Sequence, residues 1–452
     1  MTLHRFTRLS AALALAFAGS AACAQLAVRA PVALQPAAGS GSLTTTATVQ
    51  GSLTQSSKSG AANADTEQTL VVAGARGASI DGGQASAQAT VTGAVTQTRG
   101  SGGLVRQEIG VAELSGRIAA GTARAEGVVL GSLTQSATSA SASSLTSTQR
   151  IQVGSLADVQ GGSIVTRGTV AASGSINQAV VNGFTVSQNV NIADVRDSTL
   201  QSAQTNGTLA GNLSQTSTTT DNFIQRVDIG NVAGSNAGTV VTSGVVTATL
   251  SQSLGASADS APLREQTISV GSERFSSAAS VRTDAVLAGS VAQSGGERQF
   301  VGVAFVSDAA GSSASARAAV DAAIVQTGTA RSSQTFNAGG ISGSNGTATS
   351  DATVSGRVTQ TSSARSSQLV SVAAISSTTG TVSTKAALNG EVTQSARSDN
   401  ANQLLSIGSV SGNAARSVTT DVTVTGAIVQ NADGGGSGRT PQTIQIGGVT
   451  AP

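Results

Sequence analysis

The stretch VTGAVTQTRGSGGLVRQEIGV, residues 91–111, decides the fold. Val91, Gly93 and Val95 alternate with other residues at a period of two, which is typical of a β-strand with one apolar face. The next residue on that face is Gln97, an amide where an apolar side chain is expected. A second alternating run follows the polar loop, and it also opens on glutamine. The fold therefore has to explain glutamine at inward positions.

Both halves of this stretch recur along the chain. The first half, apolar-x-Gly-x-apolar-x-Gln, occurs eleven times, and its central residue is Gly in nine copies and Ala248 or Ala322 in the other two. The first set of glutamines is Gln55, Gln97, Gln135, Gln178, Gln215, Gln252, Gln293, Gln326, Gln360, Gln394 and Gln430. The second half, Gln-x-apolar-x-apolar, begins at Gln68, Gln107, Gln149, Gln188, Gln225, Gln266, Gln299, Gln334, Gln368, Gln403 and Gln442. Such self-similarity predicts a repeat architecture, and the invariably small central residue predicts that a facing strand approaches closely there.

The spacing between the glutamines distinguishes loop segments of variable length from strand segments of nearly constant length. Within a unit the two glutamines are 6 to 14 residues apart, whereas 26 to 29 residues separate the second glutamine from the first one of the next unit. The variable segments are rich in Ser, Thr, Gly and Asn, as in QNADGGGSGRTPQ at residues 430–442, and predict exposed loops. The constant segments predict strands.

One repeat gives the expected strand order. The sequence predicts a short strand over Gln403 to Ile407, a kink at Gly408, a turn near Ser411 to Asn413 and one longer strand that runs to Gln430. Helix is not expected, because Thr, Val, Ser and Gly dominate and no stripe of period 3.6 is present.

A solenoid explains the glutamines better than independent hairpins. A lone buried amide costs about 1–3 kcal/mol, but in a solenoid equivalent residues of successive coils lie about 4.8 Å apart and their amides can bond to one another. The sequence therefore predicts an all-β, repetitive β-solenoid of about eleven imperfect repeats with inward-facing Gln ladders. The alternative is that each Gln ends a strand and faces solvent.

The N-terminal residues read as a secretory signal peptide over residues 1–24. Arg5 and Arg8 form a positive head, an apolar run follows, and Ala22 and Ala24 flank a small-residue cleavage site. The alternative of a lipoprotein with Cys23 lipidated is less favoured, since Ser20 stands three residues earlier instead of a larger aliphatic residue.

The remaining boundaries follow from the repeats. They predict an N-terminal linker at 25–46, the β-solenoid repeat domain at 47–448 and a C-terminal tail at 449–452.

The composition narrows the possible chemistry. His4, Cys23 and Met1 are the only residues of their types and all lie in the signal segment, so no disulfide, metal site or cofactor is expected in the mature chain. Pairs such as Asp194 and Asp197 are interpreted as solvated surface groups, and no repeat stands out as an active site, so the chain is not expected to be an enzyme.

The charge argues against nucleic acid as a partner. Without the two signal-segment arginines, 23 basic residues balance 23 acidic ones, and no basic stripe with stacking aromatics is present. No segment after the signal has 18 uninterrupted apolar residues, so no membrane-spanning helix is expected.

A secreted, Cys-poor chain rich in Gly, Ser, Thr and Ala, with Gln at fixed inward positions, resembles the subunits of bacterial functional amyloid, the curli and Fap-type fibre proteins. The resemblance covers residues from about 40 to 450, and the repeat length is closer to the Fap type. The Cys-x-x-Cys expected near the C-terminus of the principal Fap subunit is absent.

This resemblance implies a structural protein that is secreted to the cell surface or extracellular matrix of a Gram-negative bacterium. It implies self-assembly into an amyloid-like fibre that supports adhesion or a biofilm matrix. The implied partners are further copies of the chain, a nucleator and an outer-membrane secretion pore. The alternatives are a monomeric adhesin stalk or holdfast-type anchoring protein that binds a receptor or glycan through its loops, and an ice- or mineral-binding surface built from Thr rows.

Overall fold

The computed structural model of the chain describes residues 42–58, 66–76, 83–100, 103–138, 145–218, 222–255, 264–308, 311, 313–329, 331–363, 365–376, 378–397, 400–412, 415–433 and 440–450. Throughout these residues the regular structure is β-strand, and no helix occurs among them. The strands are numbered β1 to β42 along the chain.

Four strands make one coil. In a central coil these are β15 (Thr199–Leu209), β16 (Asn212–Ser217), β17 (Asn222–Ile229) and the two-residue β18 (Val232–Ala233). The next coil repeats this order, and each strand pairs in parallel with its counterpart one coil away. The strands therefore form four stacks: a long-strand stack, a first and a second glutamine stack, and a corner stack.

The long-strand stack consists of β1 (Ser42–Val49), β5 (Gly83–Val91), the later part of β8 (Leu114–Val129), the later part of β11 (Leu156–Val170), β15, β19 (Asn236–Val246), β23 (Ser277–Leu287), β27 (Ser313–Val320), β31 (Thr347–Val354), β35 (Thr381–Leu388) and β39 (Ser417–Val424). The first glutamine stack consists of β2 (Leu53–Lys58), β6 (Val95–Gly100), β9 (Ser132–Thr138), β12 (Ser175–Val181), β16, β20 (Thr249–Leu254), β24 (Ser290–Ser294), β28 (Ala323–Gly328), β32 (Arg357–Ser362), β36 (Glu391–Ala396) and β40 (Ile428–Ala432).

The second glutamine stack consists of β3 (Thr66–Val72), β7 (Gly103–Val111), β10 (Leu145–Val153), β13 (Thr185–Ile192), β17, β21 (Arg264–Val270), β25 (Arg298–Val303), β29 (Ser333–Ala338), β33 (Ser367–Val372), β37 (Asn402–Ile407) and β41 (Gln442–Ile446). The corner stack consists of β4 (Ala75–Arg76), the first residues of β8 and β11, β14 (Val195–Arg196), β18, β22 (Glu273–Arg274), β26 (Val306–Ser307), β30 (Ile341–Ser342), β34 (Ile375–Ser376), β38 (Val410–Ser411) and β42 (Val449–Thr450).

The predicted fold class is confirmed. Each glutamine stack is an eleven-stranded parallel sheet, and the long-strand and corner stacks join into a third sheet of 20 strands. The register keeps glutamine over glutamine, as in the pairs of Gln178 with Gln215 and Gln188 with Gln225. The chain is thus an all-β solenoid whose two sets of Gln form inward columns.

The prediction of one longer strand that runs to Gln430 is wrong, because two strands occupy this segment. The chain bends at Gly426, so that β39 ends at Val424 and β40 begins at Ile428. The reason for the small central residue also differs from the expectation. A Cβ at Gly426 would lie 1.7 Å from the carbonyl oxygen of Gly390 in the preceding coil, so the close neighbour is the stacked backbone at the bend and not a facing strand.

The predicted kink after the second glutamine strand is confirmed. Gly408 has φ +58°, and the corresponding residues Gly230 and Ala193 have φ +66° and +55°. This left-handed conformation suits glycine, because it has no Cβ to clash with the backbone. It turns the chain from the second glutamine stack into the corner stack.

The regular strands extend beyond the predicted bounds of the repeat domain, 47–448, at both ends. Strand β1 begins at Ser42, inside the predicted linker, and Leu43 pairs with Ala85 and is buried. Strand β42 lies inside the predicted tail, and its Val449 pairs with Val410. Alternation of β-forming residues continues across both boundaries, which lets each end pair with its neighbouring coil.

The glutamine columns divide the interior. A continuous aliphatic core lies between the long-strand, glutamine and corner stacks. A smaller core lies on the loop side of the glutamines and is formed by Val105, Ala137, Val180, Val186, Phe223 and Leu254. The amides therefore lie between two apolar regions.

Candidate functional site

Two unbroken ladders of amide hydrogen bonds run through the interior. In the first ladder, Nε2 of each Gln donates to Oε1 of the Gln one coil earlier, at 2.6–2.9 Å from Gln55 to Gln430. In the second ladder the same bond measures 2.8–3.0 Å from Gln68 to Gln442. The structure brings every glutamine of the two predicted sets into these ladders.

Except at Gln442, the amides also donate to backbone carbonyls that join the two glutamine stacks. Gln215 donates to the carbonyl of Arg226 in its own coil at 3.3 Å, whereas Gln225 donates to the carbonyl of Ser253 in the following coil at 3.4 Å. The same alternation recurs along the stacks, for example from Gln252 to the carbonyl of Thr267 at 3.3 Å. Because the amide donors reach acceptors, burial does not leave them unsatisfied.

The inward direction of the ladders is confirmed by burial. From Gln97 to Gln394 in the first ladder, and from Gln107 to Gln403 in the second, each Gln is at most 1% exposed. The alternative, that each Gln ends a strand and faces solvent, is therefore wrong for these coils.

Each ladder has a direction. All its amides donate toward the N-terminal coil, so the C-terminal end offers acceptors. Among the described residues no donor reaches Oε1 of Gln430 or Gln442. At the other end, Nε2 of Gln55 donates to one acceptor, the carbonyl of Thr69 at 3.3 Å. The two ends of the first ladder are therefore complementary in hydrogen bonding, whereas in the second ladder Nε2 of Gln68 already donates to the carbonyl groups of Gln55 and Thr98 at 3.2 and 3.1 Å.

The C-terminal coil leaves part of the core uncovered. Ile444, Ile446 and Val449 are 49%, 49% and 59% exposed, while the residues that pair with them one coil earlier, among them Leu405 and Ile407, are fully buried. These side chains thus occupy core positions that no further coil covers among the described residues.

A cluster of charged groups lies where the corner stack meets the outer side of the second glutamine stack. Arg196 forms ion pairs with both Asp194 and Asp228 and donates to Asn191 Oδ1 at 2.9 Å. Asn231 donates to Asp228 Oδ1 at 3.0 Å. We call Asn191, Asp194, Arg196, Asp228 and Asn231 the corner cluster.

The prediction of solvated carboxylates is wrong for Asp194. Its side chain is buried, whereas Asp197 is exposed as predicted. Burial raises the pKa of Asp194, although the nearby Arg196 guanidinium opposes this shift. The chain folds back at the corner and covers polar positions that a two-residue period assigns to the outside.

Glu273 is a further buried carboxyl group that the sequence analysis missed. It occupies the inward position of the corner stack between Val232 and Val306 and is fully buried. The backbone N–H of Ser276 donates to its Oε1 at 2.9 Å, whereas Oε2 has no hydrogen-bond partner in the described part of the chain. Burial raises the pKa of Glu273 to about 7, against the hydrogen bonds from Ser276 that lower it.

Repeat alignment contains the signal for Glu273. It stands seven residues after Gln266 (273 − 266 = 7), where the preceding repeat has Val232 after Gln225 (232 − 225 = 7). An acid in an aliphatic column is visible once the repeats are superimposed on their second glutamine.

Ala22 and Ala24 lie outside the described residues. Within the described part of the chain no three His, Cys, Asp or Glu side chains group in a way that could hold a metal ion. Among the same residues no helix has the length and apolar character needed to cross a membrane.

Comparison with known proteins gives no relative to guide the assignment. No family model, no curated protein and no solved structure matches the chain.

Proposed function

We propose that the chain is the secreted structural subunit of a cell-surface fibre, in which copies stack end to end and support adhesion or a biofilm matrix. Catalysis is not part of this proposal. Export through an outer-membrane pore of a Gram-negative bacterium and nucleation by a separate protein belong to it, and they rest on the resemblance to curli and Fap-type subunits.

The observation that carries the proposal is the complementarity of the two ends. The C-terminal coil offers the free acceptors Gln430 Oε1 and Gln442 Oε1, and the N-terminal coil offers the Gln55 amide. Stacking β39–β42 of one copy on β1–β4 of the next would continue all four stacks in the register found between coils inside the chain.

Two further features favour assembly over a capped monomer. Ile444, Ile446 and Val449 would be covered by the next copy, which removes apolar surface from water. Among the described residues the outer edges of β1–β3 and β40–β42 have no neighbouring strand, and an open strand edge is a template for another chain.

The bend glycine provides a variant that tests this docking. Gly51 occupies the same repeat position as Gly426, and a Cβ there would meet nothing within 4 Å in the isolated chain. In the proposed docking Gly51 stacks on Gly426 of the preceding copy. A Cβ at Gly51 would then approach the Gly426 carbonyl oxygen as closely as a Cβ at Gly426 would approach that of Gly390, at 1.7 Å. Gly51→Val should therefore fold normally and fail to elongate. Gly100→Val is the matched control, because a Cβ there also meets nothing within 4 Å.

The experiment is seeded elongation of purified mature protein, followed by thioflavin fluorescence, electron microscopy and light scattering. Wild-type and Gly100→Val protein should elongate seeds into filaments. Gly51→Val and Ile446→Lys, which block opposite ends, should each stop elongation, and an equimolar mixture of the two should form dimers and nothing longer. Uniform short rods from wild-type protein would overturn the proposal and favour the monomeric adhesin stalk. Normal elongation by Gly51→Val would rule out the docking register.

A further inference from the structure

Phe275 has an unfavourable backbone conformation at an exposed position. Its φ is +54°, in the left-handed region that bulky side chains avoid. The residues that follow the corner strands in neighbouring coils share this conformation, with φ +59° at both Gly234 and Asp308 and +74° at Gly343. Gly and Asp tolerate that region and Phe does not, so local folding does not explain the phenylalanine.

Burial does not explain it either. Phe275 is 65% exposed, more than any other exposed large hydrophobic residue of the described chain. A strained and exposed aromatic residue gains nothing from the core. Strained residues that persist at the surface are typical of functional positions.

Arg274 lies beside Phe275 and stacks on two aromatic rings. Its guanidinium lies over the ring of Phe275 at 5.8 Å and over the ring of Phe300, in the next coil, at 5.1 Å. Among the described residues it forms no ion pair, and its buried Nε has no hydrogen-bond partner. Burial lowers the pKa of this guanidinium, and the nearby carboxylates of Asp228 and Glu265 oppose that shift.

The ring of Phe300 is held in place by its neighbours Gly302 and Phe305. The Phe300 ring lies against Gly302, where a Cβ would be 2.7 Å from its Cε1, and it contacts Phe305 edge to face with centroids 5.9 Å apart. Arg298 lies on the same outer face of β25 as Phe300, is exposed and also lacks an ion pair among the described residues. We call Arg274, Phe275, Arg298, Phe300 and Phe305 the phenyl site.

The carboxylates around this site have other partners. Glu265, the carboxylate of the adjacent strand β21, is 3.7 Å from Arg226 and is compensated by it. Asp308 follows Phe275 along the corner stack and accepts a hydrogen bond from Ser307 at 3.0 Å. Asp228, which also acts on Arg274, forms its ion pair with Arg196, so Arg274 and Arg298 have no ion pair of their own among the described residues.

From this geometry we infer that the phenyl site binds an acidic sugar residue of a polysaccharide, with the sugar ring on the Phe275 ring and the carboxylate on Arg274 and Arg298. A sugar ring has a face of C–H groups that packs on an aromatic ring, and a carboxylate accepts paired hydrogen bonds from a guanidinium. An acidic peptide would supply the carboxylate but not the ring. The site lies within one chain, so it does not depend on assembly.

The test measures binding of polygalacturonate to the full mature chain kept monomeric, by isothermal titration calorimetry. Methyl-esterified polygalacturonate has the same rings without the charge, and polyglutamate has the charge without the rings. Wild-type protein should bind polygalacturonate at least tenfold more tightly than either. No binding of polygalacturonate, or equal binding of either comparison polymer, would overturn the inference, and equal binding of polyglutamate would point to an acidic peptide.

Variants separate binding from a structural role. Phe275→Asn should lower affinity at least tenfold while the thermal midpoint stays the same or rises, because Asn tolerates the left-handed conformation. Arg274→Gln should lower affinity similarly. Phe184→Asn is the matched control, since Phe184 is 43% exposed outside the site, and it should bind as wild type. If Phe275→Asn lowered the thermal midpoint and left binding unchanged, the ring would be structural and the inference wrong.

Discussion

Nε2 of Gln252 donates to Oε1 of Gln215 at 2.8 Å, and Nε2 of Gln215 donates in turn to Oε1 of Gln178 at 2.8 Å. Replacing the middle residue, Gln215→Leu, leaves a buried donor on one side and a buried acceptor on the other. We expect the free energy of unfolding of the monomeric chain to fall by about 2–4 kcal/mol, measured by urea denaturation. Gln430→Leu, at the open end, leaves only one buried acceptor, Gln394 Oε1, without its donor and should cost about half as much, roughly 1–2 kcal/mol. Equal losses at the two positions would contradict the ladder as a source of stability.

The glutamine ladders could be predicted because they depend only on the spacing of residues along the sequence. A period of two fixes which face a residue takes, and a parallel stack of repeats places equal positions over each other, so Gln97 and Gln135 had to meet. The number of repeats follows from the same pattern. The path of each coil does not follow from it. The repeat pattern shows that residue 426 must be small, but it does not show which part of the neighbouring coil approaches it.

The bend glycines give the next prediction. A Cβ at Gly390 would lie 1.7 Å from the carbonyl oxygen of Gly356, a backbone atom that cannot move without breaking the stack. We expect Gly390→Val to lower the free energy of unfolding by about 1–3 kcal/mol, as overpacking does. Gly51→Val occupies the equivalent position without a neighbour and should unfold as wild type when monomeric. A similar loss for both variants in urea denaturation would show that β-branching, not the close approach, is responsible.

The corner cluster predicts a rescue. Arg196→Leu would leave Asp194 and Asp228 buried without their cation, and removing one partner of a buried ion pair costs about 3–5 kcal/mol. Adding Asp194→Asn and Asp228→Asn to Arg196→Leu removes the uncompensated charges, so most of that loss should be regained. The measurement is urea denaturation at pH 7 of the single and triple variants. A triple variant no more stable than Arg196→Leu would mean that packing of the arginine, not its charge, supports the corner.

Polar residues outside the ladders were harder to predict for a physical reason. Asp194 and Asp228 occupy positions that alternation assigns to the surface, and they are buried because the left-handed residue before the corner strand folds the chain back over them. That fold depends on contacts between stacks and not on the local period. Phe275 was visible in the sequence, but its conformation and exposure were not.

Glu273 predicts how stability depends on pH. Burial raises the pKa of Glu273 to about 7, above the value of 4.5 of a free Glu side chain. Between these two values the folded state keeps a proton that the unfolded state has lost, so stability is greatest below about pH 4.5 for this group and falls as pH rises to about 7. The shift corresponds to roughly 3 kcal/mol in total.

We expect Glu273→Gln to flatten this part of the profile, measured by urea denaturation from pH 4 to 8. An unchanged slope in Glu273→Gln would place the pH dependence elsewhere, and a slope of opposite sign in the wild type would mean that the carboxyl group is stabilised in its charged form.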